Sequence, residues 1–588
     1  MKRLLFCLLL LSLHSYSQTI SSSRTFNWNH SGYPGSIPSP AITVDATTAG
    51  AVGDGITDNT TIIQNLINTS TGRTVIYFPT GTFLFSAALN LTDSIILRGN
   101  SADSTHLLFN CNGAVCNGLN ITGGAASGFV SVVPGADRRS SFLKVASAAG
   151  FLAGDYAEIQ QTNGSWDTQP VSWADNSIGQ ILHLTAVSND TLFFDEELRI
   201  NYSPSLNPVV RKLAPRKEVG IECLKISRAD SVHTGVCLNI YFNFAVNCWV
   251  KGVESSKSIG SHIEADASSD ITVTGCYIHE NFEYDGTSTH GYGITLFNHT
   301  GQCRLENNIM RHLRHSFSMQ VGANGNVIAY NYSIDPNRSE FPSNYGADIS
   351  MHGHYSYANL FEGNIVQNIQ IDQTWGPSGP FNTFFRNRAE LYGILMTSGT
   401  VESDSLNFVG NEVTNTGLFM GNYTLAGSNH FEFGNNVRGT ITPAGTSSLP
   451  DSSYYLDSLP RFWNSSLFPT IGTPNYNTGS NAAKDRYLSG INLATCNEQI
   501  NTSIADLNAN VIDIYPNPAS TSITVRFKTE MNHSIPISIT DLTGKVLMEE
   551  TLSTSSQFIE KTIDISVLKA GVYFLRTNGS AKIFVLSK

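Results

Sequence analysis

Short runs of alternating apolar and polar residues recur along the middle of the chain. Residues 270–275 read DITVTG, residues 326–331 read NVIAYN and residues 359–364 read NLFEGN. Alternation with a period of two is typical of β-strands, and the closing Gly or Asn indicates a tight turn. Comparable units begin at nine positions, near Gly220, Asn247, Asp270, Gln302, Asn326, Asn359, Asn382, Leu406 and His430. Most starts are 23 to 27 residues apart, so the pattern predicts an all-β fold made of parallel β-helix coils.

Asparagine recurs at one position of these units. That position holds Asn331, Asn364, Asn387 and Asn411, with Asn307 or Asn308 before them and Asn435 or Asn436 after. Stacked asparagines bond to one another through their side-chain amides and tolerate left-handed backbone at a turn. We therefore predict that these residues form a structural ladder and do not bind ligands.

Two of the spacings between units, 32 and 33 residues, are longer than the others. The first added stretch lies within residues 280–300 and the second within residues 335–358. Solenoids place insertions on one face, which is often the binding face. We therefore expect a cleft formed by residues between His262 and His354.

Residues 53–99 precede the repeats and contain a turn, a helix and three strands. The turn reads GDGITDNT, and Ile62, Ile63, Leu66 and Ile67 follow at helical spacing. Thr57 or Asp58 is placed to cap this helix, and Asp54 to form the turn, which we favour over catalytic roles for the two carboxylates. Strands are predicted at residues 75–79, 82–85 and 95–99.

This order resembles the N-terminal region of the pectate lyase, rhamnogalacturonase and epimerase-like superfamily. Members open with a GDG-x-TD motif, a capping helix and an FPxGxY-like strand pair, for which this chain has Phe83 at the aromatic position. The resemblance implies a right-handed parallel β-helix that acts on an extracellular polysaccharide.

Residues 125–215 interrupt the repeat with short alternating strands and predict a small β insertion. Trp166, Trp173 and Tyr202 lie in it, and each would either stack on a sugar ring or fill a small core.

The two ends of the chain predict export. Lys2 and Arg3 precede an apolar run over residues 4–13, as in a signal peptide that ends at residue 17. Residues 511–519 (VIDIYPNPA), 537–545 (ISITDLTGK) and 568–575 (LKAGVYFL) resemble the type A sorting domain of type IX secretion. The resemblance implies a small β-sandwich over residues 512–588, which the type IX machinery recognises. No segment reaches the roughly 20 apolar residues of a transmembrane helix.

These boundaries divide the chain into four parts. They are a signal peptide at 1–17, a β-helix domain at 18–489, a polar linker at 490–511 and the sorting domain at 512–588. Within the β-helix domain we expect a cap at 45–100, the insertion at 125–215 and the main repeats at 220–440. The net charge of −12 is spread along the chain, so a nucleic-acid partner is not expected.

Cysteine spacing favours structural roles. Cys111 and Cys116 are close enough for a local disulfide in an oxidising compartment. One recurring coil position, stacked into the core, would hold Cys223, Cys248, Cys276 and Cys303. No CxxC pair is present, which argues against a structural zinc site.

Eight of the fifteen histidines lie between His262 and His354, and two dense polar runs mark this region. The first is Arg311 to His315 (RHLRH), where an inward Leu313 would turn its neighbours outward. The second is Asp348 to His354 (DISMHGH). The predicted catalytic residues are Arg311, His312, Arg314, Asp348, His352, Asp285 and His290. The predicted substrate-binding residues are Asp266, His315, His354 and Trp375.

Four functions compete for this cluster. In a lyase, an arginine pairs with a uronate carboxylate while a His or Tyr removes the α-proton, and β-elimination follows. In a glycoside hydrolase, two carboxylates flank the bond, with Asp266, Asp285 and Asp348 as choices. An epimerase would use similar residues, whereas a glycan-binding surface protein would show an aromatic stripe without an acid–base cluster. We favour a lyase acting on a uronate-containing glycan because cationic side chains dominate the first run.

The sequence lacks the active-site motifs of better-known relatives. It has neither the paired Asp, Gly-His-Gly and Arg-Ile-Lys elements of polygalacturonases nor the adjacent acidic calcium ligands of pectate lyases. No active site is therefore carried over from the resemblance. His352 and His354 have the i, i+2 spacing of a metal pair, but this spacing is common and we assign no metal ligands. Calcium stays open as a cofactor.

Overall fold

Three parallel β-sheets wind around one hydrophobic core and form a right-handed parallel β-helix. The computed structural model describes residues 18–231, 235–463, 465, 467–469, 471–496, 513–528, 534–541, 545–553, 558–577 and 580–587. The predicted signal peptide and residues 497–511 of the predicted linker lie outside these residues. Two compact units, Met1–Glu498 and Gln499–Lys588, make up the chain. Within the described residues no helix is both long and apolar enough to cross a membrane.

Each coil contributes one strand to each sheet in turn. Sheet A consists of Val44–Asp45, Thr74–Phe78, Ile95–Gly99, Gly220–Glu222, Ala245–Lys251, Ser269–Thr274, Arg304–Glu306, Val327–Ala329, Leu360–Glu362, Thr383–Phe385, Asn407–Val409 and Phe431–Phe433, with Arg216–Lys217 paired at its side. All nine predicted repeat starts fall at or beside a strand of this sheet.

Sheet B follows sheet A after a short turn in every coil. Its strands are Asp54–Asp58, Gly81–Phe85, Thr105–Phe109, Lys225–Arg228, Glu254–Ser258, Tyr277–Asn281, Ile309–Arg311, Tyr332–Ile334, Glu412–Val413, Asn435–Val437 and Thr440–Thr442. Sheet C completes the coil with Leu89–Asn90, Leu119–Thr122, Ile240–Asn243, Ile263–Asp266, Tyr292–Phe297, His315–Met319, Ala347–Met351 and Asn422–Thr424. Ile365–Ile371 and Arg388–Met396 bend and serve both sheets.

In-register pairing stacks like residues inside the coil. Phe361, Phe384 and Phe408 occupy one position in three successive coils, with ring centroids 4.7 and 5.1 Å apart. All three side chains are fully buried. Because alternate residues of a strand face opposite sides, the residues next to each phenylalanine in its strand point out of the solenoid.

The predicted asparagine ladder is present. In each step of the ladder, the backbone N–H and the side-chain amide of one asparagine donate to the Oδ1 of the next. Its members are Asn308, Asn331, Asn364, Asn387, Asn411 and Asn435. A second ladder, which the sequence analysis missed, joins Asn326, Asn359 and Asn382. The left-handed backbone lies one residue before each ladder residue, as at Tyr330 and Arg386, rather than at the asparagines themselves.

The structure contains the predicted local disulfide and corrects the predicted cysteine column. Cys111 and Cys116 are joined, but Cys223 pairs with Cys496 and does not belong to a column. The three remaining cysteines are buried and free but do not share one position: Cys248 and Cys303 align with Ile271 in sheet A, whereas Cys276 lies at the turn before sheet B. Cys276 N donates to Asn308 Oδ1, and Cys303 N donates to Asn326 Oδ1, so each of these two cysteines occupies the position that precedes an asparagine ladder.

Asp54 and Asp58 have structural roles, although the N-cap residue of the helix is Asn59 rather than the predicted Thr57 or Asp58. The helix spans Thr60–Thr69, and Asp58 Oδ1 accepts from Thr60 N at 3.0 Å. Asp54 Oδ1 accepts from Ile56 N and Thr57 N, which closes the turn.

The insertion is a seven-stranded antiparallel sheet that packs on the solenoid. It contains Gly124–Ala125, Val130–Ser131, Phe142–Lys144, Tyr156–Gln161, Ile178–Ser188, Thr191–Phe194 and Val209–Ala214. His299 of the solenoid anchors it, with Nδ1 2.8 Å from Glu158 Oε1 and Nε2 2.8 Å from the Asn176 carbonyl. Tyr357 OH donates to the Gly179 carbonyl at 2.6 Å.

A segment that follows the coils, residues 449–496, lies on the outside of sheets A and B. Its helix Ala482–Ser489 packs Tyr487 against Tyr332 of sheet B, with ring centroids 5.3 Å apart. The Cys223–Cys496 disulfide joins the end of this segment to an early coil.

The C-terminal unit is a β-sandwich. One sheet contains Asp513–Tyr515, Ser522–Lys528 and Phe558–Asp564, and the other contains Ser534–Thr540, Val546–Ser553, Gly571–Thr577 and Ser580–Leu586. Its own core includes Val525 and Ile563 from one sheet and Leu575 and Phe584 from the other.

We expect Asn364→Ala to lower the free energy of unfolding by about 2–5 kcal/mol, because it removes a buried residue that makes four ladder bonds. Asn364 Nδ2 donates to Ile328 O and Asn387 Oδ1, and its Oδ1 accepts from Asn331. Guanidinium denaturation measures the loss. Asn65→Ala, on the exposed side of the cap helix, is the control. Equal effects of the two substitutions would contradict the ladder as a source of stability.

Candidate functional site

The outer surface of sheet C carries several titratable side chains of the predicted region, some partly exposed and some, such as Tyr292 and His315, buried. In the strand Ile263–Asp266, the first and third residues belong to the core. The alternating residues, Glu264 and Asp266, therefore face outward. We call this outer surface the sheet C face. One position along it holds Asp266, Phe297, Gln320, His352 and Asp372 in five successive coils, as the strand register requires. Strands about 4.8 Å apart give these five coils a length of about 19 Å, enough for several sugar units.

Both predicted insertions lie beside this face, at the corner between sheets B and C. They are shorter than predicted, spanning residues 282–291 and 335–346, and we call them the corner loops. Gly286 N of the first loop donates to Glu340 Oε1 of the second at 2.9 Å, and Ser339 N donates to the Tyr284 carbonyl. The two loops therefore stack as one wall along the face.

Tyr292, His315, His352 and Asp372 converge on the middle of the face. The His315 ring lies 4.7 Å from the Tyr292 ring and 5.6 Å from the His352 ring. His352 Nδ1 is 2.9 Å from Asp372 Oδ2, so the imidazole and the carboxylate form a close pair. Against the effect of burial, the contact with His352 lowers the pKa of Asp372. The Arg314 guanidinium lies 5.5 Å from the Tyr292 ring centroid.

The environment of His315 keeps it neutral. Burial lowers its pKa well below the usual value, and the charges of Arg314 and His352 add to the effect. His315 Nδ1 is 3.1 Å from the Ala347 carbonyl, an acceptor, so the proton lies on Nδ1 and Nε2 keeps its lone pair. Burial also raises the pKa of the Tyr292 hydroxyl to about 12.

A pair of carboxylates lies at one end of the face. Burial, with Asp266 beside it, raises the pKa of Glu264 to about 7. Burial raises the pKa of Asp266 as well, although this residue accepts hydrogen bonds from Tyr241 OH and Asn243 Nδ2, both at 3.3 Å. Both carboxylates remain half-buried and open to solvent. Further along the face, the Ser350 hydroxyl is buried and has no hydrogen-bond partner among the described residues.

Aromatic residues border the opposite side of the face. Trp173 of the insertion stacks on Phe297 with centroids 6.2 Å apart and meets Trp375 edge-on at 5.7 Å. Trp173 and Trp375 are 44% and 36% exposed, so part of each ring is free to stack on a sugar. Trp166 and Tyr202 pack in the core of the insertion instead.

His354 lies with these aromatic residues and away from His352. Its ring is 5.0 Å from Trp173, and its Nε2 is 3.2 Å from the Gln169 carbonyl. The two histidines, which the i, i+2 spacing marked as a candidate metal pair, therefore turn to different partners.

Arg311 and His312 do not join the face. Leu313 points inward as expected, but residues 312–314 form a turn rather than a strand. Arg311 therefore ends a strand of sheet B and pairs with Glu280 at 3.2 Å, and His312 Nδ1 is 2.9 Å from Asp335 Oδ2. Only Arg314 and His315 of this run reach sheet C.

Asp285 and His290 lie together in the first corner loop. Asp285 Oδ2 and Glu283 Oε2 are 2.9 and 3.2 Å from His290 Nδ1. The loop holds them beside the face and not on it.

Asp348 points into the solenoid, which corrects its assignment as a catalytic carboxylate. It is 1% exposed, and its oxygens accept from Ser333 Oγ, Gln367 N and Asn368 N at 2.5 to 2.9 Å. The strand bends here, so that Asp348 and Ile349 both face inward. Burial raises the pKa of Asp348 to about 6.

Sequence reasoning left Tyr241, Glu264, Tyr292 and Asp372 out of the predicted site. The run Ile263 to Asp266 (IEAD) carried a usable signal, since two carboxylates alternate with two core residues. Tyr292 and Asp372 gave no such signal, because their proximity depends on coils 80 residues apart in the sequence.

Comparisons with known proteins agree with this architecture. Residues 43–136 match the family model "Rhamnogalacturonase A/epimerase, pectate lyase-like", and residues 513–588 match the model "Secretion system C-terminal sorting domain". The protein thus combines a pectate lyase-like parallel β-helix with a sorting domain that indicates secretion. No curated protein matches the chain.

Solved structures with similar folds include phage and bacterial proteins. The tailspike gp49 of Pseudomonas phage LKA1 is 15% identical over 63% of this chain and 64% of its own length, with a TM-score of 0.44. The chain thus spans slightly less than two thirds of that tailspike. The A-module of Azotobacter vinelandii mannuronan C-5 epimerase AlgE4 is 13% identical over 67% of this chain and 92% of its own, with a TM-score of 0.36.

A third structure is the catalytic unit of the GH87 alpha-1,3-glucanase from Streptomyces thermodiastaticus strain HF3-3. It is 11% identical over 70% of this chain and 68% of its own, with a TM-score of 0.35.

We expect Asp348→Asn to fold normally and to change the pH dependence of stability. A carboxyl whose pKa is raised from about 4 in the unfolded chain to about 6 contributes stability that is lost as the pH rises through 6. Between pH 4 and pH 7 the wild type should therefore lose roughly 2–3 kcal/mol of unfolding free energy that the variant does not lose. Urea denaturation at both pH values measures this.

Asp348→Ala is the matched comparison. It leaves the N–H groups of Gln367 and Asn368 buried without their acceptor and should destabilise the protein at both pH values. An Asp348→Asn protein with the pH dependence of the wild type would contradict the assignment.

Proposed function

We propose that the protein is a secreted enzyme that cleaves a uronate-containing polysaccharide along the sheet C face by β-elimination. The observation that carries this proposal is the convergence of Tyr292, His315 and the His352–Asp372 pair beside the Arg314 guanidinium. The match of residues 43–136 to a rhamnogalacturonase and epimerase family model supports a polysaccharide substrate, and the sorting domain supports export by the type IX route.

The reaction needs a neutralised carboxylate, a base and an acid. Arg314 would pair with the uronate carboxylate and so acidify the α-proton at C5. His352, whose Nδ1 faces Asp372, would take that proton on Nε2. The electron pair then forms the C4–C5 double bond while the bond from C4 to the glycosidic oxygen breaks. The Tyr292 hydroxyl would give its proton to the leaving oxygen, and His315, in contact with both rings, would position them.

The aromatic border supplies affinity in this proposal. Trp173 and Trp375 present partly exposed rings on the side of the face opposite the corner loops. Sugar rings present apolar C–H surfaces that stack on such aromatic rings.

Hydrolysis is the second candidate, and the Glu264–Asp266 pair favours it. With a pKa of about 7, Glu264 keeps its proton in weakly acidic solution, as a general acid requires. Asp266, which accepts two hydrogen bonds, would serve as the base or nucleophile. Residues two apart on a strand are about 6.6 Å apart, compatible with carboxyl groups on either side of one glycosidic bond.

A panel of pectins, alginate, glycosaminoglycans and neutral glycans tests the proposal. We expect one uronate polymer to yield oligosaccharides that absorb at the unsaturated-uronate band. His352→Gln and Arg314→Met should each lower kcat by about 10²–10⁴, because they remove the base and the carboxylate partner. His183→Gln is the control, because His183 also pairs with a carboxylate, Asp195, but lies in the insertion. Binding without cleavage across the panel would reject an enzymatic function.

A second experiment separates the two reactions. Should hydrolysis be the activity, new reducing ends form without that absorbance, and the rate falls above pH 7 as Glu264 loses its proton. Glu264→Gln would then lower kcat by about 10²–10⁴ and remove the fall in rate near pH 7 from the pH–rate profile. Glu254→Gln, on sheet B, is the matched control. For β-elimination we expect neither Glu264→Gln nor Glu254→Gln to cause a loss of this size.

A further inference from the structure

We propose that the first corner loop is a binding site for a divalent transition-metal ion, with Glu283, Asp285 and His290 as its ligands. The proposal concerns the wall beside the sheet C face and does not depend on the reaction. It also gives Asp285 and His290 a role different from the catalytic one expected from the sequence.

The three residues bring one donor atom each close together. His290 Nδ1 lies 2.9 Å from Asp285 Oδ2 and 3.2 Å from Glu283 Oε2, and all three atoms are within 4.8 Å of one another. Ligand atoms bonded at about 2.1 Å to one ion, at tetrahedral or octahedral angles, are separated by about 3.0–3.4 Å. Among the described residues this is the one group of three such side chains that meets the distance condition.

The buried histidine distinguishes this group from an ordinary acidic cluster. His290 is 8% exposed, and its Nδ1 forms a hydrogen bond with Asp285 Oδ2 while Glu283 Oε2 approaches the same nitrogen to 3.2 Å. A ring nitrogen carries one proton, so a hydrogen bond along its axis can serve only one of two acceptors well. An ion bound to the Nδ1 lone pair would instead attract both carboxylates.

The other histidines near carboxylates do not share this arrangement. His312 and His352 each face one carboxylate, and His279 approaches two through different ring nitrogens. Charge also favours a cation: two carboxylates and a neutral imidazole carry −2, which a divalent ion cancels. Arg314 lies beside the loop, where its Nη1 donates to the Ser288 carbonyl.

The donor set selects the type of ion. One imidazole nitrogen and two carboxylate oxygens suit Zn²⁺ or Mn²⁺, whereas Ca²⁺ prefers six to eight oxygen ligands. Zn²⁺ should bind more tightly than Mn²⁺ at such a site. Three protein ligands leave at least one position for water or another ligand.

The ion would join the two ends of the loop. Glu283 follows the last strand of sheet B before the loop, and His290 lies two residues before Tyr292, with which the next strand of sheet C begins. Fixing these ends fixes the wall of the sheet C face next to Tyr292. The second corner loop, held through Glu340, would be stabilised with it.

Isothermal titration of the full chain, first freed of metal by a chelator, tests the site. We expect one Zn²⁺ per chain with micromolar or tighter affinity, weaker Mn²⁺ binding and little Ca²⁺ binding. His290→Gln, Asp285→Asn and Glu283→Gln should each weaken Zn²⁺ binding at least about tenfold. His183→Gln, which alters a histidine that pairs with a carboxylate elsewhere, should leave it unchanged.

Two further measurements keep the outcome decisive. Circular dichroism shows whether each variant folds, and Asp285→Asn and Glu283→Gln change half-exposed loop residues that should not affect folding. Co²⁺ in place of Zn²⁺ should give visible absorption bands that the His290→Gln variant lacks. Absence of Zn²⁺ uptake at millimolar concentration, equal affinity in all four variants, or binding of Ca²⁺ alone would overturn the proposal.

Discussion

The register between successive coils is the constraint on which the rest of the structure depends. Apart from the antiparallel strand Thr440–Thr442, each strand of the β-helix hydrogen-bonds in parallel to the strand one coil away, so a residue meets its counterpart at the same place in the next coil. Inside, this rule stacks Phe361 on Phe384 and Asn364 on Asn387. Outside, the same rule places Asp266 and His352 in one row, although 86 residues separate them in the sequence. The same register therefore positions the residues of the core and those of the candidate site.

Features that repeat with the coil could be predicted from the sequence. The nine units, the main asparagine ladder and the capping turn each depend on neighbouring residues or on a fixed period, and periodicity is visible in a single chain. The same argument located the two insertions but set their limits too wide, because the strand Tyr292–Phe297 is an ordinary member of sheet C.

Features that depend on where the strands bend could not be predicted. Strict alternation places His312 beside Arg314 on one outward face. Instead, the turn at residues 312–314 leaves Arg311 and His312 at the end of a sheet B strand, while Arg314 leads into sheet C. Similarly, Asp348 faces inward because two successive residues point into the coil at the bend. Long-range partners were also invisible: nothing local associates Asp372 with Tyr292, or Cys496 with Cys223.

The Cys223–Cys496 disulfide has a topological consequence. It closes a covalent ring with a sequence separation of 273 residues, which contains both corner loops and every β-helix strand from Lys225 onward. A protease that cuts one exposed corner loop once opens this ring but does not divide the molecule. The nicked β-helix stays a single covalent species until the disulfide is reduced, a useful property for a protein that works outside the cell among secreted proteases.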